Sequence, residues 1–164
     1  MPSVPDSGYL IDRMIVKSAE KGSAGPASEG REGSSSAEPA PVTSGAILVV
    51  DDNPLNAELV TDLLEMHGFH VQSTDTAEAA LIMARTLMPA LILMDINLPG
   101  MDGISATKIL KNDPATRHLT VIGLTAEPTG EARRVFDGCL SKPFNTHTFA
   151  DSIKSFLSKF SRVQ

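Results

Sequence analysis

From residue 46 onward the chain alternates without a break between short apolar runs and segments whose apolar residues recur every three or four positions. That alternation narrows the fold more than any other feature, because the two periods mark strands and helices respectively. The run "AILVV" leads to Asn53, placed to cap a helix, and to Pro54 at the first helical position, where the missing N–H costs nothing. Leu55, Leu59, Leu63 and Met66 form the expected apolar face of this helix, and Gly68 its stop. "FHVQS" then alternates as an edge strand does. A second helix, opening at Asp75 or Thr76, carries Ala79, Ile82, Met83 and Leu87 and stops before Pro89. "ALILM" is the next strand, "ISATKILKN" a third helix and "LTVIGLT" a fourth strand. A short helix over 131–135 and the strand "CLSK" follow. A final helix from about Thr146 places Phe149, Ile153, Phe156, Leu157 and Phe160 on one face. Five strands alternating with five helices, with central strands apolar on both faces, predict an α/β fold: a doubly wound parallel sheet covered on two sides.

In an open sheet of this kind the binding crevice lies beyond the carboxyl ends of the strands. Two apolar runs stop there on acids. "AILVVDDN" ends on Asp51 and Asp52, and "LILMDINLPG" ends its strand on Asp95. Three carboxylates a few ångströms apart repel one another by about 3 to 4 kcal/mol per pair at an effective dielectric near 20. Relief comes from a raised pKa or from a bound cation. Oxygen-only ligands in a partly hydrated site suit Mg²⁺. An acid after a strand also commonly caps the next helix, so the pair alone decides little. The fourth strand, however, ends "GLTA" and brings Thr125 to the same edge, and the fifth ends "LSKPF" and brings Lys142. Acids, a hydroxyl and an ammonium from four different strands therefore converge on one spot.

Residues 1–44 differ from the rest. They are rich in Ser, Gly, Ala, Pro and Glu, which leaves little to bury, and they are expected to form a disordered arm ahead of a folded domain at 45–164. Within the arm, "YLIDRMIVK" (residues 9–17) is the exception and could form a short amphipathic docking turn; Met14 is an alternative start. A net charge of −6 argues against a nucleic-acid binder, which needs clustered Lys and Arg. The single cysteine, Cys139, excludes an internal disulfide framework and a Cys-rich zinc site. No window has the roughly 18 consecutive apolar residues of a membrane span, and no basic-then-apolar signal pattern opens the chain, so a cytoplasmic protein is expected. His67, His70, His118 and His147 show no metal-ligand spacing and read as solvated.

The set "VVDDN", "LILMDINLPGMDG", "LTA" and "LSKPF", in this order and spacing, resembles the receiver domain of bacterial two-component response regulators, the CheY-like family, over roughly residues 46–160. The resemblance implies a flavodoxin-like strand order 2-1-3-4-5 and a signalling switch rather than an enzyme. It implies that Asp95 accepts a phosphoryl group from a phosphohistidine on a histidine kinase or histidine phosphotransfer protein. Asp51, Asp52, Asp95 and the backbone carbonyl of Asn97 would hold Mg²⁺, with Asp51 acting through water. Lys142 would pair with Asp95, Thr125 would swing toward the phosphoryl group, and the Lys142–Pro143 bond would be cis. With only "SRVQ" after Phe160, a stand-alone receiver is expected, signalling through contacts with a downstream protein effector.

The chain departs from that pattern between Thr125 and Lys142. This stretch is about five residues short, predicting a fourth helix of about two turns that Pro128 keeps from starting earlier. Cys139 stands where the family often has an aromatic, and Val135 where a glycine usually ends the helix. The usual coupling between threonine and aromatic is therefore open to question here, and a degenerate receiver acting only as a binding module is one alternative. Asn97 and Glu127, polar at positions that tune phosphoryl lifetime, suggest a short-lived signal. A phosphohydrolase with an Asp nucleophile and Mg²⁺ is a rival, but it wants a second Asp two residues on, where this chain has Asn97.

Overall fold

A computed structural model describes residues 45–160. The readings for residues 1–44, including the segment 9–17, and for the last four residues fall outside the described part. Five parallel strands, β1 (Ile47–Val50), β2 (Val71–Thr74), β3 (Leu91–Asp95), β4 (Val121–Thr125) and β5 (Gly138–Ser141), form one sheet in the order β2-β1-β3-β4-β5. Between and after them run α1 (Pro54–Glu65), α2 (Ala77–Leu87), α3 (Gly103–Asn112), α4 (Gly130–Val135) and α5 (Phe149–Phe160). The predicted fold class and strand order are those found. β2 lies at one edge, as its alternation suggested, while β1, β3 and β4 are buried throughout. The last helix starts three residues later than Thr146, after a turn closed by the Asn145 carbonyl.

Each helix from α1 to α4 begins on a side chain that accepts a backbone N–H. Asn53 takes that of Leu55, Thr76 that of Ala79, Asp102 that of Ser105 and Thr129 that of Ala132. These caps satisfy N–H groups that have no intrahelical partner and fix where the chain turns from strand to helix. α4 has six residues, in line with the short helix expected.

The sheet separates two cores. On one side Leu48, Val50, Ile92, Met94 and Val121 meet α2, α3 and α4; on the other Ile47, Val49, Leu93, Ile122 and Leu124 meet α1 and α5. α5 buries the stripe its sequence predicts, with Phe149, Ile153 and Leu157 inside. Two expected helix faces are corrected. α1 buries Val60 and Leu64, and Leu63 packs partly against the core, whereas Leu55, Leu59 and Met66 are exposed, Met66 by 80%. α2 buries Ala77, Ala80 and Ala84; of the expected face Met83 packs partly against the core, while Ile82 is exposed by 62% and Leu87 lies at the surface. Small alanines let α2 lie close to the sheet, and its larger residues flank that contact. Leu55→Ser should therefore shift stability by no more than about 0.5 kcal/mol, as at other exposed sites. Denaturant titration checks this, and a loss typical of a core residue would restore the original face.

Candidate functional site

The carboxyl ends of β1, β3, β4 and β5 meet at one edge. β3 pairs with β1 and β4, setting Asp95 opposite Leu124, and β4 pairs with β5, setting Thr125 opposite Ser141. Carboxylate oxygens of Asp51, Asp52 and Asp95 all lie within 4.8 Å of one another. Asp51 and Asp95 are buried, while Asp52 is exposed. Lys142, immediately after β5, joins the two buried acids: its Nζ is 3.1 Å from Asp51 Oδ2 and 3.2 Å from Asp95 Oδ2.

The two buried acids are held alike. Asp51 Oδ1 accepts the Asn53 N–H at 2.9 Å, and Asp95 Oδ1 accepts the Asn97 N–H at 3.1 Å. In each, one oxygen closes a turn two residues on and the other faces the ammonium, so neither carboxylate can rotate without losing a bond. Burial pushes the Asp95 carboxyl above the usual carboxylate range; Lys142 and the Asn97 N–H pull it back, and Asp51 adds to the rise. Three carboxylates against one ammonium leave the cluster short of positive charge. An all-oxygen donor set with two negative charges in excess fits a hard divalent cation such as Mg²⁺.

The Thr125 hydroxyl is buried but turned to its own loop, donating to the Glu127 carbonyl at 3.1 Å and accepting the Glu127 N–H at 3.2 Å. Asn97 lies exposed in the β3–α3 loop. The Lys142–Pro143 peptide is cis. The structure thus gathers the three acids and Lys142, and places Thr125 at the same edge with its hydroxyl engaged elsewhere. The four histidines are exposed; the His67 ring bonds only to the Leu63 carbonyl.

Two features escaped the sequence reading. The first is Gly103, where α3 starts. A Cβ there would lie well inside contact distance of the Asp95 carbonyl oxygen, and 3.0 Å from both that carbonyl carbon and Ile96 Cα. The helix can pass this close to the strand end only because residue 103 has no side chain. The Asp102-Gly103 pair opening a helix was the available signal. The second is Phe136, buried after α4. A Cβ on Gly123 would come 2.9–3.1 Å from three atoms of its ring, so the ring occupies the slot that this glycine leaves in β4. Gly123 is two residues before Thr125 on the same strand face. Cys139, opposite Gly123, is half-buried, and burial pushes its thiol upward, away from the reactive thiolate.

Comparison with known proteins agrees with this arrangement. The family model for the response regulator receiver domain matches residues 47–154. The polar-differentiation response regulator DivK of Brucella ovis is 41% identical over 117 residues, covering 68% of this chain and 95% of that protein. Among solved structures, the chemotaxis response regulator CheY4 of Vibrio cholerae superposes with a TM-score of 0.64 at 26% identity, over 68% of this chain and 97% of that one. The N-terminal domain of a response regulator receiver protein from Methanoculleus marisnigri is 31% identical with a TM-score of 0.58, over 71% and 98%. No helix among the described residues is long and apolar enough to cross a membrane.

Proposed function

The chain belongs to the response regulator receiver domain family of two-component systems, and on that premise we propose that residues 45–164 act as a phosphorylation switch with Asp95 as the phosphoacceptor. The observation that carries this reading is the position of Asp95: buried at the end of β3, 3.2 Å from the Lys142 ammonium, and beside two further acids. Phosphoryl transfer asks for a positioned nucleophile and for positive charge against the phosphoryl oxygens. The Asp95 carboxylate is the nucleophile, as in other aspartyl-phosphate chemistry. The P–N bond of a phosphohistidine on a kinase or phosphotransfer protein breaks, a P–O bond to Asp95 forms, and the histidine nitrogen regains a proton. Lys142, already shared between Asp51 and Asp95, neutralises charge on the product. Asp52, Asp95, the Asn97 carbonyl and, through water, Asp51 would hold Mg²⁺, which when bound supplies further positive charge at the phosphoryl group. Thr125 would then trade its Glu127 partners for a phosphoryl oxygen, carrying the change to the surface and so to a downstream protein effector.

Asp52 is the acid that Lys142 does not reach, so its carboxylate is open to a cation. Asp52→Asn is expected to weaken Mg²⁺ binding by about tenfold or more, corresponding to at least about 1.4 kcal/mol. Calorimetric titration with MgCl₂ checks it, and unchanged affinity would remove Asp52 from the ligand set. Steady turnover of a phosphate ester by the purified protein would instead favour a hydrolase.

A further inference from the structure

α4 spans about 9 Å and α3 about 15 Å at 1.5 Å per residue, so α4 covers only part of its neighbour. The uncovered space is a cleft of about 370 Å³ between the second half of α3 and the turn from α4 into β5. Lys108, Lys111 and Arg134 line it, with Val135 and Phe136 as its apolar part and Asp137 as its one acid. Counting Glu131, which pairs with Lys108, three cations face two carboxylates there, a local excess of positive charge in a chain of net charge −6.

The existing bonds show how these cations are used. Lys111 is committed: its Nζ meets Asp137 Oδ2 at 2.6 Å and the Leu119 carbonyl at 2.8 Å, and Asp137 Oδ2 also accepts the Val121 N–H. Lys108 reaches Glu131 Oε1 at 2.7 Å, but both side chains are more than half exposed, and such a pair is weak and displaceable. Arg134 makes no ion pair among the described residues. A cation in the last turn of a helix complements the helix dipole, which accounts for Lys111 and Arg134 in part. It does not account for Lys108 in mid-helix.

We propose that this α3–α4 cleft is a docking site for a partner protein segment that presents a carboxylate next to an apolar side chain. The carboxylate pairs with Arg134 and Lys108, displacing Glu131, and the apolar group rests against Val135. The cleft lies apart from the Asp51–Asp95–Lys142 cluster, so the inference stands or falls independently of phosphorylation.

The test uses the full chain and a fluorescein-labelled peptide of Glu-Leu repeats, read by fluorescence anisotropy. A Gln-Leu peptide of equal length and a short oligothymidylate are the comparisons. The wild type is expected to bind the Glu-Leu peptide in preference to both. Combining Lys108→Ala with Arg134→Ala should weaken binding by about tenfold or more, as expected when charge partners are lost at an interface. Glu131→Gln, which frees Lys108, should tighten it by about two- to fivefold. Circular dichroism and Asp95 labelling of each variant keep folding and phosphorylation separate from docking. No binding of the Glu-Leu peptide, equal binding of the Gln-Leu peptide, or no loss in the double variant would each overturn the proposal. Equal binding of oligothymidylate would also overturn it, by showing a general anion site.

Discussion

Asp95→Asn is expected to reduce labelling by a phosphorylated histidine donor to background while leaving the fold intact. The amide is close in shape to the acid and can still accept the Asn97 N–H, but it lacks the anionic oxygen that attacks phosphorus. Lys142 keeps Asp51 at 3.1 Å, so the pocket does not lose its only ion pair. The measurement is radiolabel incorporation from a phosphorylated donor; incorporation at the wild-type level would exclude Asp95 as the acceptor. The same variant carries a prediction of opposite sign for stability. Burial, the largest influence, raises the Asp95 pKa above 3.8, so the ionised carboxylate is less favourable in the folded chain than in the unfolded one. Its stability contribution is therefore present below about pH 4 and lost as pH rises through the folded pKa. Without Mg²⁺, Asp95→Asn should melt higher than wild type at neutral pH, and the two should converge below about pH 4. Added Mg²⁺ should narrow the gap by stabilising the wild type more, because a ligand that binds only the folded state raises its stability.

Gly103→Ala is expected to damage both stability and phosphoryl transfer. In most helices replacing glycine by alanine gains up to about 1 kcal/mol. Here the new methyl would overlap the Asp95 carbonyl and crowd Ile96 Cα, and both are backbone atoms that cannot rotate aside. Either α3 moves outward or the end of β3 bends, and overpacking of this kind typically costs about 1 to 3 kcal/mol. Bending would shift the Asp95 carboxylate relative to Lys142, and a displacement near 1 Å can cost roughly a hundredfold in rate. Chemical denaturation and single-turnover labelling check the two parts. Wild-type values in both would show that the strand end is more yielding than its hydrogen bonds suggest. Gly130→Ala, where nothing lies within 4 Å of the added methyl, is the control and should be near neutral.

Much of this was legible in the sequence. The alternation from residue 46 fixed the order of elements because strand and helix periods differ sharply. The acids, Thr125 and Lys142 were legible because polar residues ending apolar strands of a parallel sheet must share one edge. The faces of α1 and α2 were not. α1 has two apolar stripes, Leu55-Leu59-Met66 and Val60-Leu64, each at helical spacing, and spacing alone does not say which turns inward. In α2 the large residues Ile82, Met83 and Leu87 stand at helical spacing, while the buried contact is made by Ala77, Ala80 and Ala84. Gly103 and the Gly123–Phe136 fit were hidden for another reason: both are contacts between distant or differently shaped neighbours, and no periodicity records them.

The way β4 grips α4 has a mechanical consequence. At the near end the grip is one hydroxyl, Thr125, holding the backbone of Glu127 two residues ahead of the Thr129 cap. At the far end it is a ring seated in the sheet, reinforced by the Asp137 N–H bonded to the Val121 carbonyl. α4 is thus held at its start by Thr125 and at its end by Phe136. If Thr125 moved to a phosphoryl oxygen, as proposed above, the start of α4 would lose this hold beside the Lys108–Glu131 pair, while Phe136 kept its seat against β4.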